Sequence, residues 1–383
     1  MLNLRRFDLR SSQRSFIVLT LLVVSKIFAV FEGARLQPCH NNPPQIRLQP
    51  LRYAFPAAHF THLFPQGNRV VEILLATFNG ERFLRQQIDS LLAQDANILA
   101  RDDGSRDATP QILADYATQY PTRFRILEGP PTGNAKDNFL ELIRHATADY
   151  ICFADQDDIW LSNKVQQCLA AIKSLEATTG SQTPLLAFHD LRVVDESLTT
   201  IHESMWSFSG IHPDDANHLP RLLGRSIVTG CAAMINRPML ELARHMPEEA
   251  AMHDRWIALL AASMGRAAIL REQLVLYRQH QSNVIGAVAT DDSLSGTIHR
   301  AQSNQGRREE RIRCEQMAEA LLRLHATEMP AANADILRAY LRSGRSNSAI
   351  ERLATTLRYG FYRAGLMRNL AMLADLARQR TDA

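Results

Sequence analysis

The chain is short of paired cysteines, long apolar runs, repeats and net charge. Its 383 residues hold five cysteines, Cys39, Cys152, Cys168, Cys231 and Cys314. They are scattered, odd in number and nowhere spaced C-x-x-C, which argues against a zinc site and a disulfide framework and favours a reducing compartment. A formal net charge of +3 gives no sign of a nucleic-acid partner. No internal repeat is visible. Arg5, Arg6, Arg10 and Arg14 precede an apolar run from Phe16 to Val24 that continues past Lys26 to Phe31. That is basic first and then apolar, as in a signal peptide or short anchor, but it falls short of the ~20 apolar residues of a spanning helix. The stretch from Gln37 to Asn68 reads as a linker. An alternative is that residues 1–69 reflect a mis-assigned start and that the chain begins at Val70 or Val71. With 46% hydrophobic and 22% charged residues, the remainder has enough apolar material for one large or two modest domains.

What is present centres on Asp155-Gln156-Asp157-Asp158-Ile159-Trp160. Three carboxylates follow the β-like run Tyr150–Ala154, which places them at the carboxyl edge of a sheet, where open α/β folds bind ligands. Such a cluster repels itself unless a cation or donor groups neutralise it. Hard ions such as Mg²⁺ or Mn²⁺ take one or two carboxylates plus substrate phosphate oxygens. A solvated acidic turn is the plainer alternative for an isolated D-x-D.

From residue 70 onward the pattern alternates. Val70–Ala76 is a buried strand, followed by the turn Thr77-Phe78-Asn79-Gly80 and a helix presenting Phe83, Leu84, Ile88, Leu91 and Leu92. Asn97–Ala100 is a second strand running into Arg101-Asp102-Asp103-Gly104-Ser105. The next helix takes Thr109 as N-cap and Pro110 at its first position. Phe124–Leu127 is a third strand, Asn134–Ala146 a helix, and Tyr150–Ala154 the fourth strand. This β-α-β-α-β-α-β order predicts a parallel sheet with right-handed crossovers. Its strand ends bring Thr77 and Asn79, Asp102 and Asp103, and the 155–158 cluster to one edge. Asp102 or Asp103 there could accept the imide N–H of a pyrimidine. Asp157 is the best-placed metal ligand, with Asp155 on ribose or sugar hydroxyls, and helix N-termini at this edge favour phosphate. The ligand implied is a substituted nucleoside diphosphate.

From Val71 to about Gly286 the chain resembles a family 2 glycosyltransferase of the GT-A fold, and is similar to its rhamnosyltransferase-like branch. The matching pieces are Ala76–Gly80, Asp102–Thr109, Asp155–Trp160 with Lys164, Thr229-Gly230-Cys231, His253–Trp256 and Tyr277–Gly286. The resemblance implies an α/β fold in which Thr77 and Asp103, with Asp102 beside them, line the nucleoside pocket; Asn79 is a further candidate to bind the nucleotide sugar. It also implies that Asp155 and Asp157 form the metal-binding D-x-D for Mg²⁺ or Mn²⁺, and that Asp254 is the catalytic base. Arg101 departs from the family, which commonly carries a small or apolar residue there, and is expected to alter how Asp102 points.

In the second half, Thr229–Ile235 reads as β-like, with Gly230 marking a close approach. A helix is expected around Met239–His245, and another opens at His253-Asp254-Arg255-Trp256. Asp254 near that helix start is stabilised as an anion and suits a general base, although a simple cap explains it as well. Trp256 is a candidate platform for the acceptor, or a core residue. Arg278 and His280 are candidates to close over the diphosphate. Arg307, Arg308, Arg311 and Arg313 form a basic cluster. A final helix at 357–378 alternates aromatic and apolar positions with arginines, compatible with a membrane surface or with packing on the catalytic domain.

The expected organisation is thus an extension at 1–69, a GT-A domain at 70–286 and a helical, arginine-rich extension at 287–383. The expected activity is inverting, metal-dependent transfer of a sugar such as L-rhamnose from a dTDP or UDP donor to a saccharide or lipid-linked acceptor in cell-surface polysaccharide assembly. It is placed in the cytoplasm, with possible peripheral contact at the inner face of the membrane. A catalytically idle nucleotide-sugar-binding subunit is the alternative. A nucleotidyltransferase would want a glycine-rich basic loop after the first strand, and an aspartyl phosphatase would want threonine where Ile159 stands.

Overall fold

The computed structural model describes residues 70–280, 304–361 and 369, and backbone alone at 304–308. The apolar run at 16–31, the linker, the motif residues 281–286 and most of the expected final helix lie outside the described residues.

The amino-terminal half alternates as its pattern predicts. Strand β1 (Val71–Thr77) is followed by α1 (Leu84–Leu92), β2 (Asn97–Asp102), α2 (Thr109–Gln119), β3 (Phe124–Ile126), α3 (Ala135–His145) and β4 (Tyr150–Ala154). These four strands are mutually parallel in the order β3-β2-β1-β4. Strands β1, β2 and β4 are buried on both faces and read as near-continuous apolar runs, whereas β3 at the edge exposes Arg125. Alternate residues serve opposite sides. Leu74 packs with Phe139, Leu142 and Phe153 on one face, while Ile73 and Leu75 pack with Leu84, Ile88 and Ile112 on the other.

The sheet then continues with mixed polarity. Strand β5 (Ile159–Trp160), α4 (Lys164–Thr179), β6 (Leu185–Val194), β7 (Thr200–His202), α5 (Met205–Ser209), α6 (Leu219–Leu222), β8 (Ala233–Asn236), α7 (Arg237–Ala243), α8 (His253–Met264) and β9 (Arg266–Arg278) follow. Strand β8 pairs antiparallel with both β4 and β6, and β6 runs parallel to β9. β5 and β7 pair antiparallel with β9 and β6. Six of the nine strands therefore share one direction, and β5, β7 and β8 oppose it.

Several local details differ from the sequence pattern. Helix α2 has Ala108 as its N-cap. The hydroxyl of Thr109 instead accepts from the Gly80 N–H at 2.8 Å, and Asp107 Oδ1 accepts from the Thr109 N–H at 2.9 Å. Residues Gly230–Ala232 form a 3₁₀ turn ahead of β8 rather than part of the strand. Phe83 is the N-cap of α1 rather than a residue of its buried face.

The carboxyl-terminal segment forms α9 (Asn304–His325), α10 (Ala331–Arg345) and α11 (Ala349–Tyr359). Helix α11 ends at Gly360, whose φ of 75° is a left-handed C-cap, so it stops inside the stretch expected to be one helix at 357–378. Met317, Leu321, Leu337 and Leu341 join Trp256 and Leu260 of α8 in one core. The carboxyl-terminal helices are thus packed on the sheet domain by the same burial that holds it together. Among the described residues no helix is long and apolar enough to cross a membrane.

Candidate active site

The carboxyl ends of β1, β2 and β4 meet as the sequence implies, and side chains tie them together. Gln156 sits between two of the carboxylates and grips Phe78 reciprocally. Its Oε1 accepts from the Phe78 N–H at 2.8 Å and its Nε2 donates to the Phe78 carbonyl at 3.0 Å. A Cβ on Gly80 would lie 2.3 Å from that Oε1, so glycine is what lets the two loops close. Asn79 adopts φ 48°; its Oδ1 accepts from Arg106 N–H at 2.9 Å and its N–H donates to Ser105 Oγ at 2.7 Å.

The paired aspartates are engaged within the chain. Asp102 accepts from Thr77 Oγ1 at 3.0 Å, from Ser105 Oγ at 2.5 Å, and from the Gly104 and Ser105 N–H groups. Asp103 is 6% exposed and accepts from Arg101 Nη1 at 3.2 Å, from the N–H and Oγ1 of Thr132, and from the Gly133 N–H. Burial works to raise the Asp103 pKa, but the bonds from Thr132, Gly133 and Arg101 together hold it below the usual range. Arg101 therefore acts on Asp103, not on Asp102 as expected from the sequence. It also reaches Asn138 Oδ1 at 2.8 Å and the Pro130 carbonyl at 2.6 Å, and so latches the 130–133 loop beside the pocket.

The acidic cluster is deeper than the sequence suggests. The ligand atoms of Asp155, Asp158 and Cys231 lie within 4.8 Å of one another. Asp157, ranked first as a metal ligand from the sequence, has its Oδ2 at 2.7 Å from His280 Nε2. Burial, then Asp157, then Asp254 push the Asp155 carboxyl up to about 7. Burial and the neighbouring Asp157 and Asp155 raise Asp158 well above the ordinary range. Lys164, wholly buried, stands at this edge with its pKa lowered by burial; its Nζ donates to the Cys231 carbonyl at 2.7 Å.

Arg278 braces the same loop from β9. Its backbone N–H reaches Asp158 Oδ1 at 3.1 Å, its Nε the Asp157 carbonyl at 2.7 Å, and its Nη1 the Glu196 carbonyl at 2.6 Å. The guanidinium also lies 4.4 Å from the centre of the Phe83 ring. With the residue 1% exposed, these bonds shape the acidic turn from behind.

Asp254 enters from the first turn of α8. Its Oδ2 accepts from the Gly230 N–H at 3.1 Å and its Oδ1 from the Arg255 N–H at 2.6 Å. Met252 holds the N-cap position without a side-chain cap bond, and Asp254 in the first turn also satisfies one free helix donor, the Arg255 N–H. Burial pushes the carboxyl up to about 6 against the pull of those two backbone bonds. Asp254 is also among the charges that raise Asp155, which puts the two in one electrostatic neighbourhood. Trp256 does not join them. It is 0% exposed and lies in the core, so its ring presents no face to an acceptor, a correction to the sequence expectation that follows from its position on the inner side of α8.

The residues fit a hard divalent cation. Asp158 Oδ2 is buried with no N–H or O–H donor on it and only the Cys231 thiol beside that carboxyl, and burial, then the neighbouring carboxylates, raises the proton affinity of Asp155 and Asp158. Oxygen donors of this kind suit Mg²⁺ or Mn²⁺. The Cys231 thiol is pushed well above its ordinary pKa by burial, then by Asp158 and Asp155, so it stays protonated and is a poor ligand for such an ion.

Residues 72–241 match the family described as Glycosyl transferase family 2. The chain carries a family 2 glycosyltransferase domain. This glycosyltransferase is 26% identical over 230 residues to the dTDP-rhamnosyl transferase RfbG of Shigella flexneri, covering 56% of this chain and 74% of that one. It is 24% identical over 226 residues to the uncharacterized protein Mb1547 of Mycobacterium bovis, covering 58% of this chain and 62% of that one. The chain thus spans less than two thirds of the second relative. Among solved structures it is similar to S. aureus TarS in complex with UDP, at 14% identity and TM-score 0.48, covering 80% of this chain and 89% of that one. It is also similar to the mannosyltransferase PcManGT from Pyrobaculum calidifontis with GDP-Man and Mn²⁺, at 17% identity and TM-score 0.42, covering 82% and 77%.

The sequence named Thr77, Asn79, Asp102, Asp155, Asp157, Asp254 and His280 at an edge where the structure gathers them. It passed over Gln156, Asp158 and Lys164 as functional residues, though all three stand inside the motifs it quoted. Their positions were legible; their partners, 67 to 120 residues away, were not.

Proposed function

We propose that this glycosyltransferase is metal-dependent and inverting, moving L-rhamnose from dTDP-rhamnose to a hydroxyl of a saccharide or lipid-linked acceptor. The observation that carries the reading is Asp254. It is one carboxylate, held by the N–H groups of Gly230 and Arg255, raised to about 6 by burial and close enough to Asp155 to raise its pKa.

A group with that pKa is ionised at neutral pH yet basic enough to take a proton in a transition state. The acceptor hydroxyl gives its proton to an Asp254 oxygen as its own oxygen attacks the anomeric carbon. The new C–O bond forms while the bond to the nucleoside diphosphate breaks, and the diphosphate leaves with the electron pair. Asp155 and Asp157 would hold the divalent cation, which supplies positive charge to the developing diphosphate. Asp254 taken as a single base, with Asp155 and Asp157 given to the cation, favours direct displacement with inversion, by analogy with glycosidases. The similarity to RfbG supports rhamnose as the sugar and dTDP as its carrier. UDP is the second nucleotide to try.

The experiment is to incubate the protein with dTDP-rhamnose, Mn²⁺ and lipid-linked saccharides, and to read the anomeric configuration of the product by NMR. Transfer with inversion supports the reading. Transfer with retention overturns the mechanism, and nucleotide binding without transfer to any acceptor favours an idle binding subunit.

A further inference from the structure

Arg255 follows Asp254 in the first turn of α8, and its side chain runs into the carboxyl-terminal helices. Its Nη1 donates to Glu310 Oε1 at 2.6 Å and its Nη2 to Cys314 Sγ at 3.0 Å, both on α9. Arg255 is 8% exposed and Cys314 3%. Tyr340 of α10 hydrogen-bonds Cys314 in turn. At the far end of α8, Asn333 Nδ2 of α10 donates to the Ser263 carbonyl at 2.8 Å. Helix α8 is therefore held at its first and last turns by the carboxyl-terminal segment.

A buried ion pair is weak evidence for stability, because desolvation offsets its attraction. Its geometric effect is clearer. The backbone N–H of Arg255 is one of the two donors that hold the Asp254 carboxylate, and Gly230 is the other. Whatever fixes Arg255 along the helix also fixes that donor.

We propose that Arg255 is a positioning residue through which Glu310 and Cys314 make the carboxyl-terminal helices part of the active site. The guanidinium, gripped by α9, sets the first turn of α8 and with it the direction of the Asp254 oxygens. This rests on the reading of Asp254 as the base. It gives the helices beyond 303 a role that neither the family match, which ends at residue 241, nor their arginine content suggests.

The test uses the full chain with Mn²⁺ and the best donor of a panel of dTDP-, UDP- and GDP-sugars, in Arg255→Met, Arg255→Lys, Glu310→Gln and Asp254→Asn. Turnover is counted as nucleoside diphosphate released, and nucleotide affinity is measured separately. A small misplacement of a catalytic group costs up to ~100-fold in rate. Arg255→Met and Glu310→Gln should lose at least ~10-fold in kcat while nucleotide affinity stays within about twofold. Arg255→Lys, which keeps a charge for Glu310 but loses the fork, should fall between. Turnover near wild type in Arg255→Met and Glu310→Gln, with Asp254→Asn inactive, overturns the proposal and leaves the base standing. Parallel loss of turnover and nucleotide affinity reduces the pair to general structure and also overturns it. Turnover surviving in Asp254→Asn removes the base, and this proposal with it.

Discussion

The Gly230 N–H and the Asp254 Oδ2 lie 3.1 Å apart across 24 residues of chain. The same glycine leaves no room for a side chain, since a Cβ would stand 2.7 Å from His253 Nε2 and 3.7 Å from Asp254 Cβ. His253 is itself packed 4.0 Å from the Phe139 ring centre and 4.9 Å from that of Phe153, so it cannot retreat cheaply. Gly230→Ala should therefore displace Asp254 and lower turnover by at least ~10-fold, with nucleotide affinity nearly unchanged. Steady-state kinetics beside a binding titration checks this.

Asp254 must be ionised to accept a proton, and burial lifts its pKa to about 6. Turnover should be full above that value and fall as pH drops through about 6, rather than near 4 as for an exposed aspartate. A pH–rate profile unchanged between neutral pH and pH 5 would contradict the role.

Arg101 and Asp103 form a buried pair, 3% and 6% exposed at their side chains. Arg101→Met leaves Asp103 charged and the Pro130 carbonyl without its donor. Removing one partner of a buried pair costs about 3–5 kcal/mol. Urea unfolding should show a loss toward the lower figure, because Thr132 and Gly133 still hold the carboxylate. The unlatched 130–133 loop should also weaken nucleotide binding.

Trp256 lies wholly in the core. Trp256→Ala should lower stability by about 3–5 kcal/mol. Trp256→Phe should leave the acceptor KM unchanged, and an acceptor KM that rises in this variant would restore Trp256 to the acceptor site.

The first half of the fold was readable because β1 and β4 are buried on both faces and its helices are amphipathic, so Val71–Thr77 and Tyr150–Ala154 declare themselves by composition. The sheet's continuation was harder. Strand β5 has two residues, and β8 inserts between β4 and β6, a pairing that no local pattern encodes. The site was legible as residue types at strand ends, but not as partnerships. Arg101 looked like a departure near Asp102, and only the fold brings Asn138 and Pro130 to it. Trp256 looked suited to a sugar, and only the packing of α8 turns it inward. Arg255 stood inside a matching motif but with no role assigned, because Glu310 lies 55 residues away in a stretch that reads as a charged surface.

The most direct measurement is the melting temperature of the full chain with dTDP, UDP and GDP, each with and without Mn²⁺, in wild type and in Asp157→Asn. A ligand that binds only the folded state raises the melting temperature. Stabilisation by dTDP or UDP that needs Mn²⁺ and disappears in Asp157→Asn is the predicted result. Stabilisation by neither nucleotide with Mn²⁺ present, in protein that melts cooperatively, would contradict a donor site at this edge.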